Sequence, residues 1–324
     1  MTNKKVNAPA EGKVRQERPN TQKKLFFGLF VFPLLIAVGM AVLLSVIVFL
    51  TKEEETPESL IKSIKTGAPS KRWQKAFELS NELNHQSGMI RSAGIMKEII
   101  HVLNDKDHYD AKTRAYMAMA LGRFHNEEAL TALRGALKQV DEAEDPEVPL
   151  FLMWTIGNFE KPELAQDVAP FLESKQSDLR KTAAYVLGVL GNREYRAKLR
   201  PLLEDPVHDV RWNSALSLAR LSDGVGWEVL MKMLDRNYLR SEHQLNDSQI
   251  APIMINAAKG FTLIRRGEAV AALEKVASED QNLKVREAAL RALQYQRQIL
   301  QDSHCLMGIT RIYGIGTYSI VSLD

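Results

Sequence analysis

The sequence predicts an all-α protein, an α-solenoid of about seven helical hairpins that follows one transmembrane helix. Three observations predict it. Residues 25–50 contain no charged side chain, and a pattern about fifteen residues long recurs along most of the remaining chain. Within each copy the apolar residues return at helical spacing and do not alternate as in a strand.

The N-terminal element comes first. The uncharged run LFFGLFVFPLLIAVGMAVLLSVIVFL holds 26 of the 324 residues. As a helix it would reach roughly 39 Å, enough to cross a hydrocarbon core of about 30 Å with some tilt. A cleaved signal peptide has a shorter apolar region and a small-x-small site, whereas this run exits into Thr51-Lys52-Glu53-Glu54-Glu55. Pro33 lies inside the run, where a membrane helix tolerates a kink. Seven bases and two acids precede it in residues 1–24, and Lys52 is the only base in the first ten residues after it. The positive-inside rule then puts the N-terminus in the cytoplasm and everything after residue 50 on the far side of a plasma (bacterial inner) membrane, as a single-pass protein. The formal charge of +3 belongs to that tail, since the rest of the chain carries a net −2. The folded part therefore gives no charge argument for nucleic-acid binding.

The repeat comes next. Its clearest copies are DLRKTAAYVLGVLGN (178–192) and DVRWNSALSLARLSD (209–223), with others at 70–84, 112–126 and 283–296 and degenerate ones at 147–160 and 252–267. Taking the arginine as register gives Arg72, Arg114, Pro149, Arg180, Arg211, Met254 and Arg286, a period near 31 with insertions in three places. A second apolar-periodic segment follows each copy as far as residue 280, as in 127–139, 165–174, 193–205, 227–235 and 267–280. Turn residues such as Gly191-Asn192 and Asp223-Gly224 stand between the two. Each unit is a hairpin that buries its apolar face only against its neighbours. The chain divides into a basic cytoplasmic tail (1–24), a transmembrane helix (25–50), an acidic linker (51–66), the solenoid (67–300) and an apolar tail (301–324). The last segment is either a hairpin capping the array or an unstructured tail. Its Gly314-Ile315-Gly316 lacks the further glycine of a dinucleotide loop.

The string D-x-x-R-x-x-A-A-x-x-L-G-x-x-G resembles the HEAT-like repeat first described in phycobilin lyases, over about residues 67–297. The resemblance implies a right-handed solenoid whose arginine-bearing helices form the inner, concave wall. It also implies that Arg72, Arg114, Arg180, Arg211 and Arg286 are structural. Asp178 and Asp209 would then bond an arginine in the turn between helices.

Stepping 100° per residue puts the position before Arg, and those three, six, seven and ten after it, on a core face. Positions one, five and eight after it lie opposite. They carry Trp73 and Phe77, Ala115 and Met119, Leu150 and Trp154, Lys181 and Tyr185, and Trp212 and Leu216, each with a small third member (Ser80, Gly122, Gly157, Gly188, Ala219). The last two copies depart from this with Ile255/Lys259 and Glu287/Arg291. The stripe is an interaction groove, a packing seam between helices, or a seat for the chain's own tail. As a groove, its partner-binding residues are Trp73, Phe77, Met119, Leu150, Trp154, Tyr185, Trp212 and Leu216. Of the insertions, 84–110 lengthens the second helix of the first repeat, 139–147 gives an acidic loop, and 235–249 projects from one edge.

No catalytic arrangement is visible. There is no phosphate loop, H-E-x-x-H or G-x-S-x-G, and the seven histidines have no ligand spacing. The single Cys305 beside His304 excludes a disulfide framework and any multi-cysteine zinc site. The expectation is a protein without enzymatic activity, cofactor or metal. It would be a membrane-anchored scaffold or adaptor that holds a membrane-associated protein partner at the non-cytoplasmic surface through its concave face. The alternative, implied by the resemblance alone, is a lyase-like or chromophore-handling protein.

Overall fold

The computed structural model describes residues 27–51, 56–85, 93–264 and 266–313, in two units, 1–55 and 56–324. In the first unit a π-helical turn (Phe27–Val31) leads into helix α1 (Phe32–Thr51). Pro33 is the second residue of α1, so its missing N–H falls at the junction of the two helix types and not in mid-helix. The stretch Gly28–Ile47 is long and apolar enough to cross a membrane, with a mean hydropathy of 2.7. The basic tail 1–24 lies outside the described residues.

The second unit is an all-α repeat solenoid. It runs through α2 (Pro57–Thr66), α3 (Pro69–His85), α4 (Ala93–Asn104), α5 (Ala111–Gly122) and α6 (Glu127–Gln139). It continues with α7 (Glu147–Gly157), α8 (Ala165–Val168), α9 (Ser177–Leu190), α10 (Arg196–Leu199) and α11 (His208–Arg220). It ends with α12 (Trp227–Leu234), α13 (Arg236–His243), α14 (Asp247–Gly260), α15 (Ala269–Glu279) and α16 (Leu283–Tyr313). The first helices of the repeats are α3, α5, α7, α9, α11, α14 and α16, and each packs on the next.

The residue seven after the register position is buried in every copy: Leu79, Leu121, Ile156, Leu187, Leu218, Phe261 and Leu293. Each such side chain contributes roughly 1.5–3 kcal/mol, which makes this row the spine of the stack. Helix starts are set by local chemistry. Asp110 accepts from Thr113 N at 2.9 Å, Asn126 accepts from Ala129 N at 2.8 Å, and Asn246 with Gln249 forms a capping box. Gly191 ends α9 at φ 76°, a left-handed turn that glycine adopts without strain.

Three expectations are corrected. Residues 57–66 are no linker but helix α2, capped by Thr56, which buries Leu60, Ile61 and Ile64 against α3. The second helices of the third and fourth repeats are broken into short 3-10 and α segments. Pro170 and Pro201 each lie in the closing 3-10 piece, where they remove a backbone donor. Of the 84–110 segment, the described residues form the end of α3 and the 12-residue helix α4, while residues 86–92 lie outside the described residues. The 235–249 insertion does not project: it forms α13, with Leu239 fully buried.

The end of the array extends beyond expectation, since α16 runs through to Tyr313. That excludes a hairpin or an unstructured tail for 301–313. Residues 314–324, with Gly314-Ile315-Gly316, lie outside the described residues, as do the side chains of His304 and Cys305.

Candidate functional site

The solvent-facing ridge of the first helices is rotated from the one the helical wheel predicts. Position eight after the register turns inward in the first five copies, where Ser80, Gly122, Gly157, Gly188 and Ala219 are buried, and position one does so at Ala115. Trp212 is also turned into the core, at 6 % exposure, so it is no part of an open stripe. The reason is the neighbourhood of each helix, which is covered by its own second helix and by the first helices on both sides. The small residues at position eight do not uncover a groove; they let the next helix come close. A Cβ on Gly122 would lie 2.2 Å from Thr155 Cγ2, and one on Gly188 would lie 2.4 Å from Ser217 Oγ.

What remains open are positions two, five and nine. Position five keeps Phe77, Met119, Trp154, Tyr185 and Leu216 at the surface, with Phe77 at 43 % and Trp154 at 53 % exposure. Trp73 and Leu150 are half-buried at its border. Position two adds Tyr116 and Phe151, and position nine adds Arg123, Asn158 and Arg220. The helical wheel missed these because it treats a helix as having one buried face. Allowing for burial on both flanks would have found them.

The aromatic rings form a ladder across repeats. Tyr116 receives Phe77 edge-on at 5.3 Å, stacks with Trp73 at 6.3 Å, and meets Phe151 at 5.5 Å. Trp154 stacks on Tyr185 at 5.2 Å, and Arg220 covers Tyr185 from 5.0 Å. The Lys112 ammonium sits 3.5 Å from the centre of the Trp73 ring. Beside Trp154 opens a cleft of about 470 Å³ lined by Met119, Leu150, Phe151, Thr155, Lys181 and Arg123. The Nε of Arg123 is buried there without a hydrogen-bond partner.

Arg72, Arg114, Arg180 and Arg211 do structural work, but with other partners than Asp178 and Asp209. Arg180 donates to both carboxylate oxygens of Asp205 at 2.7 and 3.0 Å, and to the carbonyls of Ser174 and Lys175. One guanidinium thereby ties the loop before its helix to the loop after the next. Arg72 bonds Gly67 O and His108 O, Arg114 bonds Leu103 O and Asp145, and Arg211 bonds Asp205 O and Pro206 O. Asp178 and Asp209 are not the acceptors. Asp178 pairs with Lys181 at 2.8 Å, and Asp209 lies 3.9 Å from the same lysine. The degenerate sixth copy has Met254 in place of arginine, and the inserted helix α13 supplies the missing group. Arg236 makes the same two-pronged bond to Asp280, at 2.9 and 2.8 Å. The acidic 139–147 segment is likewise pinned, through Asp145 to Arg114 and through Glu142 O to Gln176.

A second cluster surrounds the buried Trp212. His208 and His243 lie 4.4 Å apart, with Trp212 4.4 Å from His208 and Tyr238 5.3 Å from His243. Burial pushes the His243 imidazole below its ordinary value; His208 and Arg211 add to this, while Glu242 and Asp209 oppose it. Its stabilising effect is complete above the unfolded value of about 6.5 and is lost as pH falls toward the folded one. The urea midpoint, read by tryptophan fluorescence, is therefore expected to fall between about pH 7.5 and about pH 5.5. His243→Phe keeps a ring against Trp212 and Tyr238, and should lose less over that interval. An equal loss would assign the effect to other groups.

Among the described residues no three His, Cys, Asp or Glu side chains come together to hold a metal ion. The chemistry on offer at the ridge is adhesive: aromatic faces, amides and guanidinium groups.

Known proteins resemble this architecture. The family model described as HEAT repeats matches residues 96–185, 137–219 and 170–244. No curated protein matches. Among solved structures, the complex of CpcE and CpcF of phycocyanin lyase from Nostoc sp. PCC7120 is similar at 18 % identity and a TM-score of 0.48, covering 76 % of this chain and 96 % of that one. Human deoxyhypusine hydroxylase in complex with glycerol is similar at 16 % identity and a TM-score of 0.35, covering 75 % and 96 %. A designed armadillo repeat protein is similar at 17 % identity and a TM-score of 0.37, covering 74 % and 99 %. These likenesses carry no activity to this chain.

Proposed function

We propose that this chain is a membrane-anchored interaction scaffold whose repeat unit holds a protein partner on the ridge of its first helices. The observation that carries the reading is the ladder of surface aromatics, from Phe77 through Tyr116 and Phe151 to Trp154 and Tyr185, running beside an apolar cleft. Trp154 stands half in water beside these rings, and exposed aromatic rows mark interaction surfaces. The apolar run Gly28–Ile47 supports the anchor, and the charge bias around it supports a cytoplasmic N-terminus with the repeats on the far side. Anchoring in a plane raises the effective concentration of the scaffold toward partners in the same membrane.

The test is recovery of the full chain from native membranes in mild detergent, with mass spectrometry of what accompanies it. A stoichiometric partner is expected. The Trp154→Ala/Tyr185→Ala variant should weaken its retention by about 10- to 100-fold while keeping a cooperative melting profile, because Trp154 is exposed and Tyr185 is only partly buried against the core. Full retention by the variant would remove the ridge from the function.

A further inference from the structure

The ridge has a charge signature. Positions two, five and nine of the seven first helices hold Gln74, Phe77 and Asn81; Tyr116, Met119 and Arg123; Phe151, Trp154 and Asn158; Thr182, Tyr185 and Val189. They continue with Asn213, Leu216 and Arg220; Asn256, Lys259 and Leu263; Ala288, Arg291 and Tyr295. Of these twenty-one residues only Thr182 is buried. Four are cations and none is an acid, although 40 acids in 324 residues would place about two or three there by chance. Of the carboxylates bordering the ridge, Glu78 pairs with Lys75, Asp178, which lines the cleft, pairs with Lys181, and Glu287 pairs with Arg291. Arg123 and Lys259 form no ion pair among the described residues, and Arg220 lies over the Tyr185 ring.

We infer that the ridge takes an acidic segment of a partner polypeptide, with apolar side chains in its middle and carboxylates toward both ends. This rests on the scaffold reading above. The middle faces Met119, Trp154 and Tyr185 and enters the cleft at Leu150, where Arg123 donates to the carboxylate at one end. Arg220 and Lys259 donate to those at the other. Neighbouring packed helices lie about 9 Å apart, so the four steps from α5 to α14 cover about 36 Å, or about 11 extended residues. The chain's own N-terminal tail is basic and does not fit. A duplex or an anionic membrane would want a continuous field of cations, whereas the centre of this ridge is aromatic and neutral.

The test uses the full chain in detergent micelles and three fluorescent peptides of about 20 residues sharing a central Leu-Trp-Leu, long enough to span the ridge. Their flanks are aspartate and glutamate, the corresponding amides, or lysine. The acidic peptide is expected to bind at least about tenfold more tightly than the amide one, and to weaken as salt rises. The lysine peptide should not bind. Arg220→Glu/Lys259→Glu, both at exposed positions, should weaken the acidic peptide about tenfold or more, as should Arg123→Gln. Lys232→Glu/Lys275→Glu makes the same charge change on second helices and should leave binding within about twofold.

Equal binding of the acidic and amide peptides, or equal loss in both glutamate pairs, overturns the inference and leaves the scaffold reading standing. Displacement of the acidic peptide by phosphatidylserine–phosphatidylcholine vesicles or single-stranded DNA, abolished by Arg220→Glu/Lys259→Glu, overturns it in favour of that anion. If no peptide binds while Trp154→Ala/Tyr185→Ala still sheds the native partner, the acidic occupant is wrong and the ridge is right. If the partner is retained as well, both fall.

Discussion

Asp205→Ala is expected to lower the stability of the repeat unit by about 3 kcal/mol, the lower end of the cost of breaking a buried ion pair. Asp205 is 7 % and Arg180 is 14 % exposed at the side chain, and their two hydrogen bonds, at 2.7 and 3.0 Å, join consecutive repeats. Asp205 also accepts from Val207 N at 2.9 Å, which holds the turn into α11. Removing the carboxylate leaves a guanidinium largely out of water with only carbonyls to satisfy it. In a stack of repeats such damage is local, so the urea transition should broaden or split as the two ends lose their coupling. Arg180→Met/Asp205→Leu should recover part of the loss, because it removes the stranded charge together with its partner. The pH dependence gives an independent check. Burial alone would raise the Asp205 carboxyl, but the hydrogen bonds from Arg180 and Val207 and the charges of Arg180 and Arg211 hold it below the usual carboxylate range. Its contribution is therefore present above the unfolded value of about 3.9 and is lost as pH falls through the folded one. Parent and Asp205→Ala should converge in acid. A constant gap down to about pH 2 would mean that the pair is not what the substitution removes.

The second large effect is one of sign. Glycine to alanine inside a helix ordinarily stabilises by up to about 1 kcal/mol. Gly188→Ala is expected to destabilise instead, by about 1–3 kcal/mol, because the new Cβ would lie 2.4 Å from Ser217 Oγ, 2.6 Å from its Cβ and 2.8 Å from its Cα. A hydroxyl can rotate away, but a backbone carbon cannot, so α9 and α11 must separate. Gly135 in α6 is the control: nothing lies within 4 Å of the position its Cβ would take. Gly135→Ala should gain up to about 1 kcal/mol by the ordinary rule. Parallel urea titrations of the two variants settle it; shifts of the same sign would show that the helices have room to adjust.

These two residues also mark how far the sequence could be followed. Gly188 is a small residue at a repeating position, and helical spacing alone places it on the face opposite the core. In the structure it is the point of closest approach of two helices. The register arginines were recognisable as structural from the family resemblance. Their acceptors were not, because Asp145 and Asp205 sit in loops whose positions depend on where the next hairpin lies. Arg236 is the clearest case. Nothing in the string 235–249 says that an inserted helix replaces the arginine missing at Met254, since that match exists only between segments 44 residues apart.

The helical class, the hairpin repeat and the apolar N-terminal run are therefore determined by the sequence itself. They follow from periodicity, turn residues and the length of an uncharged stretch, all of which act over a few neighbouring residues. Tertiary structure alone decided which face of each first helix meets water. A helix in a solenoid is buried on three sides, and its open strip is whatever its second helix and two flanking repeats leave uncovered. That is why Trp212 lies in the core while Tyr116, Phe151 and Arg123 stand on the ridge.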